Sequence, residues 1–329
     1  MPRAHLVGLI AAAVLLLVLP YLAEVSGQRA FVALVTRVLI YAIAVAGLNL
    51  ILGYGGLVSF GHAAFFGMGN YIVGMLYFHH VEETLLLGFV PGSDQILLTV
   101  PAAVMASGIA ALLIGLLALR TGGVQFIMIT LAFAQMLYFF FVSLKTYGGE
   151  DGIIIRRGTN LLGLDLRDKN VIYYVVLAGA AIYFALLWRI VNSSFGAVLS
   201  AIRQDERRVT SLGVNVFHHK LVAFVLEGMS AGFAGALLAI FMRYSSPDTL
   251  HWMKSGEFMV MVILGGMGTF LGPIWGSGIF LVVQSYLASF TEYWQPIMGA
   301  LLLALVLGTH GGIQGLIDRI WGTDKGERP

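Results

Sequence analysis

The chain has 329 residues, of which 59% are hydrophobic and only 11% charged, with a net charge of +2 and no cysteine. A soluble fold of this size could not hide that much apolar surface, so lipid must cover part of it. The missing cysteines exclude disulfides, thiolate metal sites and cysteine nucleophiles, and basic residues dispersed among apolar runs give no support to nucleic-acid binding.

A membrane span needs about 20 mainly apolar residues. In chain order the candidate runs are 6–23, 30–52, 57–78, 96–119, 124–144, 171–190, 221–242, 258–271, 274–290 and 296–309. The expectation is an all-α integral membrane protein of about ten transmembrane helices, with residues 1–329 forming a single transmembrane domain. The first run follows Arg3 and resembles a signal peptide, but its length and the lack of a small-residue cleavage pattern favour a retained span. The last three runs are short. Residues 258–290 also read as one helix broken at Pro273, which lacks an amide proton. Lysines and arginines are nearly balanced between the two sets of loops, so charge leaves the orientation open.

Between the sixth and seventh runs lies a polar window. Val198, Ile202, Val209 and Leu212 recur there at helical intervals, while Arg203, Gln204, Asp205, Glu206, Arg207 and Arg208 fill much of the remaining surface. The pattern predicts one short amphipathic helix at about 193–220, ended by Gly213, which accepts the left-handed cap conformation. Such a helix can fill a groove on a partner outside the bilayer or lie on lipid headgroups.

No lysine follows a glycine, so no phosphate loop ending in Gly-Lys is encoded. Active transport would draw its energy from another chain or from an ion gradient. His79–His80 and His218–His219 are adjacent pairs, which cannot chelate a metal as residues four apart on a helix do.

Glycine is abundant, at 41 residues. Gly228 with Gly232, and Gly272 with Gly276, form faces on which helices can approach closely. Gly53–Gly56 and Gly265–Gly268 each follow an Ile-Leu pair and read as non-helical breaks beside a passage. Polar groups inside spans are costly and face protein or water. Asn49, Ser59, His62, Asn70, Thr130 and Gln135 are the candidate passage residues, with tight packing as the competing account for His62. Glu227, inside the seventh run, is expected to be protonated, paired or turned to a subunit interface.

Four blocks carry a resemblance: GLNLILGYGGLVSFGHAAFFGMGNY from Gly47, VQFIMITLAFAQM from Val124, the window from Phe195, and VMVILGGMGTFLGPIWGS from Val260. In order and spacing they resemble the LivM-type permease of branched-chain amino-acid ABC importers. The resemblance implies a type II ABC importer permease-like fold in the bacterial inner membrane, multi-pass and surrounded by membrane lipid. It implies no cofactor on this chain, with ATP held by two cytoplasmic ATPase subunits. A sister permease and a periplasmic substrate-binding protein complete the implied set of partners. It puts 193–220 on the cytoplasmic side and assigns ATPase coupling to Val198, Ile202, Arg203, Glu206, Val209, Leu212 and Gly213. The implied cargo is leucine, isoleucine or valine, with amides, urea or aromatic acids as alternatives within the same family. A gradient-driven transporter acting alone is the rival class. Two departures stand out: Arg207–Ser211 replaces an alanine- and glutamate-rich turn, and Thr309–Gly312 replaces an Arg-Pro-Arg-Gly turn.

Overall fold

A computed structural model describes residues 16–21, 29–86, 88, 90–156, 159–161, 164–166, 168–308 and 312–315. The helices named here are α1 (Arg29–Asn49), continued by a π-helical turn at Leu50–Tyr54, α2 (His62–Val81), α3 (Ile96–Ala118), α4 (Val124–Ser143) and α5 (Lys169–Val191). They continue as α6 (Ser194–Gln204), α7 (Glu206–Ser211), α8 (Val216–Met242), α9 (Trp252–Gly265), α10 (Gly272–Phe290) and α11 (Trp294–Gly308). Among the described residues, six helices are long and apolar enough to cross a membrane: α1 with its π turn, α3, α4, α5, α8 and α10. The run 6–23 lies mostly outside the described residues, and so does most of the departure at 309–312.

Of the ten expected spans, one lies mostly outside the described residues, six are full-length apolar helices, and three are not: α2, α9 and α11. α9 has 14 residues, which at 1.5 Å each give about 21 Å against a hydrocarbon core of about 30 Å. α2 starts at His62 rather than at 57, because residues 57–61 are not helical. Irregular backbone is tolerated at membrane depth only where its polar groups find partners inside the protein. Here the Leu57 amide donates to the Ile51 carbonyl and the Phe60 amide donates to Thr130 Oγ1. From the opposite end, Tyr244–Ser245 pairs with Ile153–Ile154, and Pro247–Leu250 then packs inward along α2, where Leu250 meets Gly67. α9 consequently begins well inside the molecule.

α8 is the centre of the bundle, packed against α1, α2 and α3. Small residues make that possible. A methyl group on Gly69 of α2 would overlap the Gly232 backbone of α8. One on Gly235 would overlap the Phe66 carbonyl, and one on Gly228 would strike Ala111 of α3. Gly276 of α10 approaches the Met261 carbonyl of α9 in the same way. The two glycine faces read from the sequence are thus packing faces.

The break near Pro273 is displaced from its expected place. α9 ends at Gly265, and Gly266 and Gly268 take φ values of +114° and +76°. Those conformations favour glycine. Pro273 sits in the first turn of α10, where no amide donor is required.

Candidate functional site

The polar window folds as two short helices rather than one. Asp205 interrupts it with an extended backbone (φ −156°, ψ 100°), and its carboxylate accepts hydrogen bonds from the Arg207 and Arg208 amides. An aspartate cap of this kind starts a new helix. Gly213 then ends α7 at φ +82°, and Asn215 caps α8 through the His218 amide.

The break redirects the apolar edge. Ile202 and Val209 are 4% and 6% exposed and cluster with Val216, with Val198 packed beside them. Leu212 points away and is 82% exposed. The expected continuous apolar edge is therefore mostly consumed within the chain, and Leu212 is the part offered outward. Arg203 is also turned inward: its guanidinium donates to the Gly53 carbonyl in the π turn. Glu206 pairs with Lys220 at 2.6 Å. Between this unit, the 55–57 turn and the 119–123 turn lies a cavity of about 310 Å³, lined in part by Gly56, Thr121, Phe126, Arg203, Glu206 and Lys220.

The π turn that Arg203 holds also meets the second glycine-rich break. Asn49 Nδ2 donates to the Thr269 carbonyl at 2.8 Å, and its Oδ1 accepts from the Gly268 amide at 2.9 Å. A methyl group on Gly53 would collide with the Gly268 backbone. The two Ile-Leu-Gly segments, 212 residues apart in sequence, are thus one junction in space. Arg203 connects it directly to α6.

A second junction lies deeper. Ser255, in the first turn of α9, accepts from the Ala63 amide at 2.9 Å and donates to the Phe60 carbonyl at 2.7 Å. It ties the start of α9 to the start of α2. Thr130 holds the same segment from α4, and Ser59 accepts from the Gly61 amide. Ser255 is not among the sequence-derived candidates, since it precedes the apolar run 258–271.

The candidate passage residues fall in separate places. Asn49 belongs to the glycine junction. Ser59, His62 and Thr130 gather at the start of α2, whereas Asn70 lies two turns further on and donates to the Gly235 carbonyl at 3.4 Å. All five are buried, and Gln135 on α4 is half-buried. His62 Nδ1 stands 2.5 Å from Glu227 Oε1, with both side chains fully enclosed and Phe258 edge-on to the imidazole. Glu227 is therefore paired. Beside this sealed group, Phe60, Trp252 and Met253 reach the surface, the first two with ring centroids 6.2 Å apart.

The histidine pairs mark helix ends. His79 closes α2 against Thr84 and Tyr147. Burial pushes the Tyr147 phenol up from its ordinary value, so it remains neutral there. His218 and His219 occupy the first turn of α8.

Comparison with known proteins adds independent findings. The family described as "Branched-chain amino acid transport system / permease component" matches residues 30–306. The high-affinity branched-chain amino acid transport system permease protein LivM of Salmonella typhimurium is 26% identical over 310 residues, covering 87% of this chain and 70% of the relative. The Escherichia coli protein of that name aligns equally well. The L-arabinose ABC transporter permease protein AraH of Azospirillum brasilense is 26% identical over 233 residues, covering 66% of this chain and 65% of the relative. No solved structure matches.

Proposed function

The chain belongs to the family of permease components of branched-chain amino acid transport systems, and from that premise we propose that it moves leucine, isoleucine and valine inward across the bacterial inner membrane as one subunit of an ATP-driven importer. It is a multi-pass membrane permease of the ABC class. In this reading a sister permease stands beside it, and two cytoplasmic ATPase subunits bind and hydrolyse ATP. A periplasmic binding protein delivers the cargo. The α6–α7 unit faces the cytoplasm and Leu212 enters a groove on an ATPase, with Arg208 and Asp205 beside it to set register.

The observation that carries the coupling is the double attachment of α6–α7. Leu212 is exposed at one end, while Arg203 is fastened to the π turn at the other and, through it, to the Gly268 break. A displacement of α7 by a partner would pull on the ends of α1 and α9 together. Rigid elements joined by specific hydrogen bonds transmit such a displacement better than a helix lying free on lipid. The exposed arginines would serve headgroups too, but they do not explain why the apolar edge is folded inward.

For the cargo, the support is the LivM likeness over 310 residues. The arabinose permease relative keeps a second cargo class open for test. The complex, purified with its neighbouring subunits and reconstituted in liposomes, is expected to accumulate labelled leucine when ATP and the binding protein are supplied. Uptake of arabinose or urea in place of leucine would reject the cargo assignment, and uptake without ATPase subunits would reject the ATP-driven class.

A further inference from the structure

α1 and α9 carry three charged side chains far from either end of the bundle. Arg37 precedes Asn49 by 12 residues and Lys254 precedes Gly265 by 11, which places them about 18 and 16 Å from the glycine junction at 1.5 Å per residue. That is near the middle of a hydrocarbon core of about 30 Å. Lys254 Nζ donates to Glu257 Oε2 at 2.7 Å, and these side chains keep 25% and 26% of their surface open. The Arg37 guanidinium carbon lies 5.4 Å from the centroid of the Tyr41 ring. The Tyr41 ring also stands 5.6 Å from that of Phe258, the residue after Glu257, which brings the charged stretches of α1 and α9 together.

The group is unbalanced and incompletely bonded. It holds two cations and one carboxylate. Arg37 Nε is buried without a hydrogen-bond partner among the described residues. Gly256, which projects about 100° around α9 from Glu257, has nothing within 4 Å of where a Cβ would stand, so this neighbouring face of the helix is uncovered. Met253, one turn back, is exposed and apolar. A partly open ion group at this depth is too costly to face lipid and turns instead to water or to a polar occupant.

We propose that Arg37, Lys254 and Glu257 form a station for a small zwitterion in the transport passage. The cargo carboxylate would take the outer edge of the Arg37 guanidinium and share Lys254. Its ammonium would meet the Glu257 carboxylate. An aliphatic side chain would lie against Met253. The occupant supplies the missing negative charge next to Arg37 and leaves the sum of charges unchanged, which suits a transient guest. The assignment rests on the amino-acid reading of the cargo, and its test separates the two.

The chain has no cysteine, so Gly256→Cys gives it a single thiol, and labelling is read on this chain after the subunits are separated. Its labelling by a small anionic thiol reagent and by a cationic one of the same size is followed in liposomes. The anionic reagent is expected to react faster, and Arg37→Gln is expected to abolish that preference. Leucine should slow the reaction, whereas leucinamide and isocaproate, each lacking one charge, should not. Arg37→Gln should also raise the leucine KM by about ten- to a hundredfold, the loss of one charge-assisted hydrogen bond, with assembly intact. If the complex imports leucine but the cysteine is inert, or leucine leaves its rate unchanged, the station is wrong. If the complex imports no leucine, the cargo reading fails alone: an anionic preference that depends on Arg37 still upholds a cation-lined passage, and equal rates for the two reagents overturn it.

Discussion

Two groups of ionisable side chains inside the bundle are treated in opposite ways in this protein. His62 and Glu227 lie between α2 and α8, fully enclosed and joined by one short contact, with His62 Nε2 and Glu227 Oε2 left without a partner among the described residues. Arg37, Lys254 and Glu257 lie on α1 and α9, where the Lys254 and Glu257 side chains keep a quarter of their surface open. The surroundings differ accordingly. α8 is 72% buried over its most apolar stretch and α1, which carries Arg37, is 67% buried, so the openness belongs to the Lys254–Glu257 side, where a quarter of each side chain is exposed. A charge beside α8 can be balanced by the chain itself. A charge on that open side has to be balanced by something that arrives, and that is the difference between a structural ion pair and a binding one.

The sharpest way to break the comparison is to unpair the sealed group. Glu227→Ala leaves His62 enclosed without its partner, and breaking a buried pair costs about 3–5 kcal/mol. The expected outcome is a large fall in the yield and melting temperature of the assembled complex, read by size exclusion and thermal scanning. A variant that assembles normally would show that Glu227 does not hold α2 to α8.

Gly232→Val comes next. The added carbons would strike Ser107 and press on the close approach to Gly69. Overpacking of this kind costs about 1–3 kcal/mol, so a lower melting temperature is expected with transport kept in the fraction that assembles. An unchanged melting temperature would mean that α2, α3 and α8 can move apart without loss.

A smaller effect on stability, but a large one on transport, is expected for Leu212→Asp. Exposed substitutions usually stay within about 0.5 kcal/mol. The variant should insert and assemble, yet hydrolyse ATP without matching leucine uptake. The same change at Ile202 should instead destabilise the protein, because that side chain is 4% exposed and packed in its own cluster. Normal uptake with Leu212→Asp would remove α7 from the coupling path.

The contrast between regions also explains what could be read in the chain. Boundaries of α3, α4 and α5 follow from runs of apolar residues, because lipid imposes a length on each, whereas α8 starts at Val216, five residues before the apolar run 221–242 and inside the window read as amphipathic. Gly213 was legible as a helix end, since its conformation is a local property. The division at Asp205 was hidden by side-chain spacing that runs through it, although an aspartate followed by a helix-forming stretch was a usable sign of a cap. Lys254 reads as a loop residue because it lies before the apolar run 258–271. Its place at mid-depth depends on residues 244–251 turning inward, which is set by contacts with α2 and by the pairing of Ser245 with Ile153. The echo between Gly53–Gly56 and Gly265–Gly268 was visible, and its meaning came only from the Asn49 bridge. Long-range pairings of this kind leave no periodic mark.

The central claim is that one ion group holds the bundle and the other handles cargo. It is tested most directly by making the same change in each and measuring leucine uptake over a range of concentrations. Glu227→Gln keeps an acceptor for the imidazole, and most transport should remain with the KM unaltered. Glu257→Gln removes the charge that meets the ammonium, and the KM should rise by about tenfold or more at equal assembly. The reverse pattern, with uptake lost in Glu227→Gln and untouched in Glu257→Gln, would contradict the account and place the moving charge in the centre of the bundle.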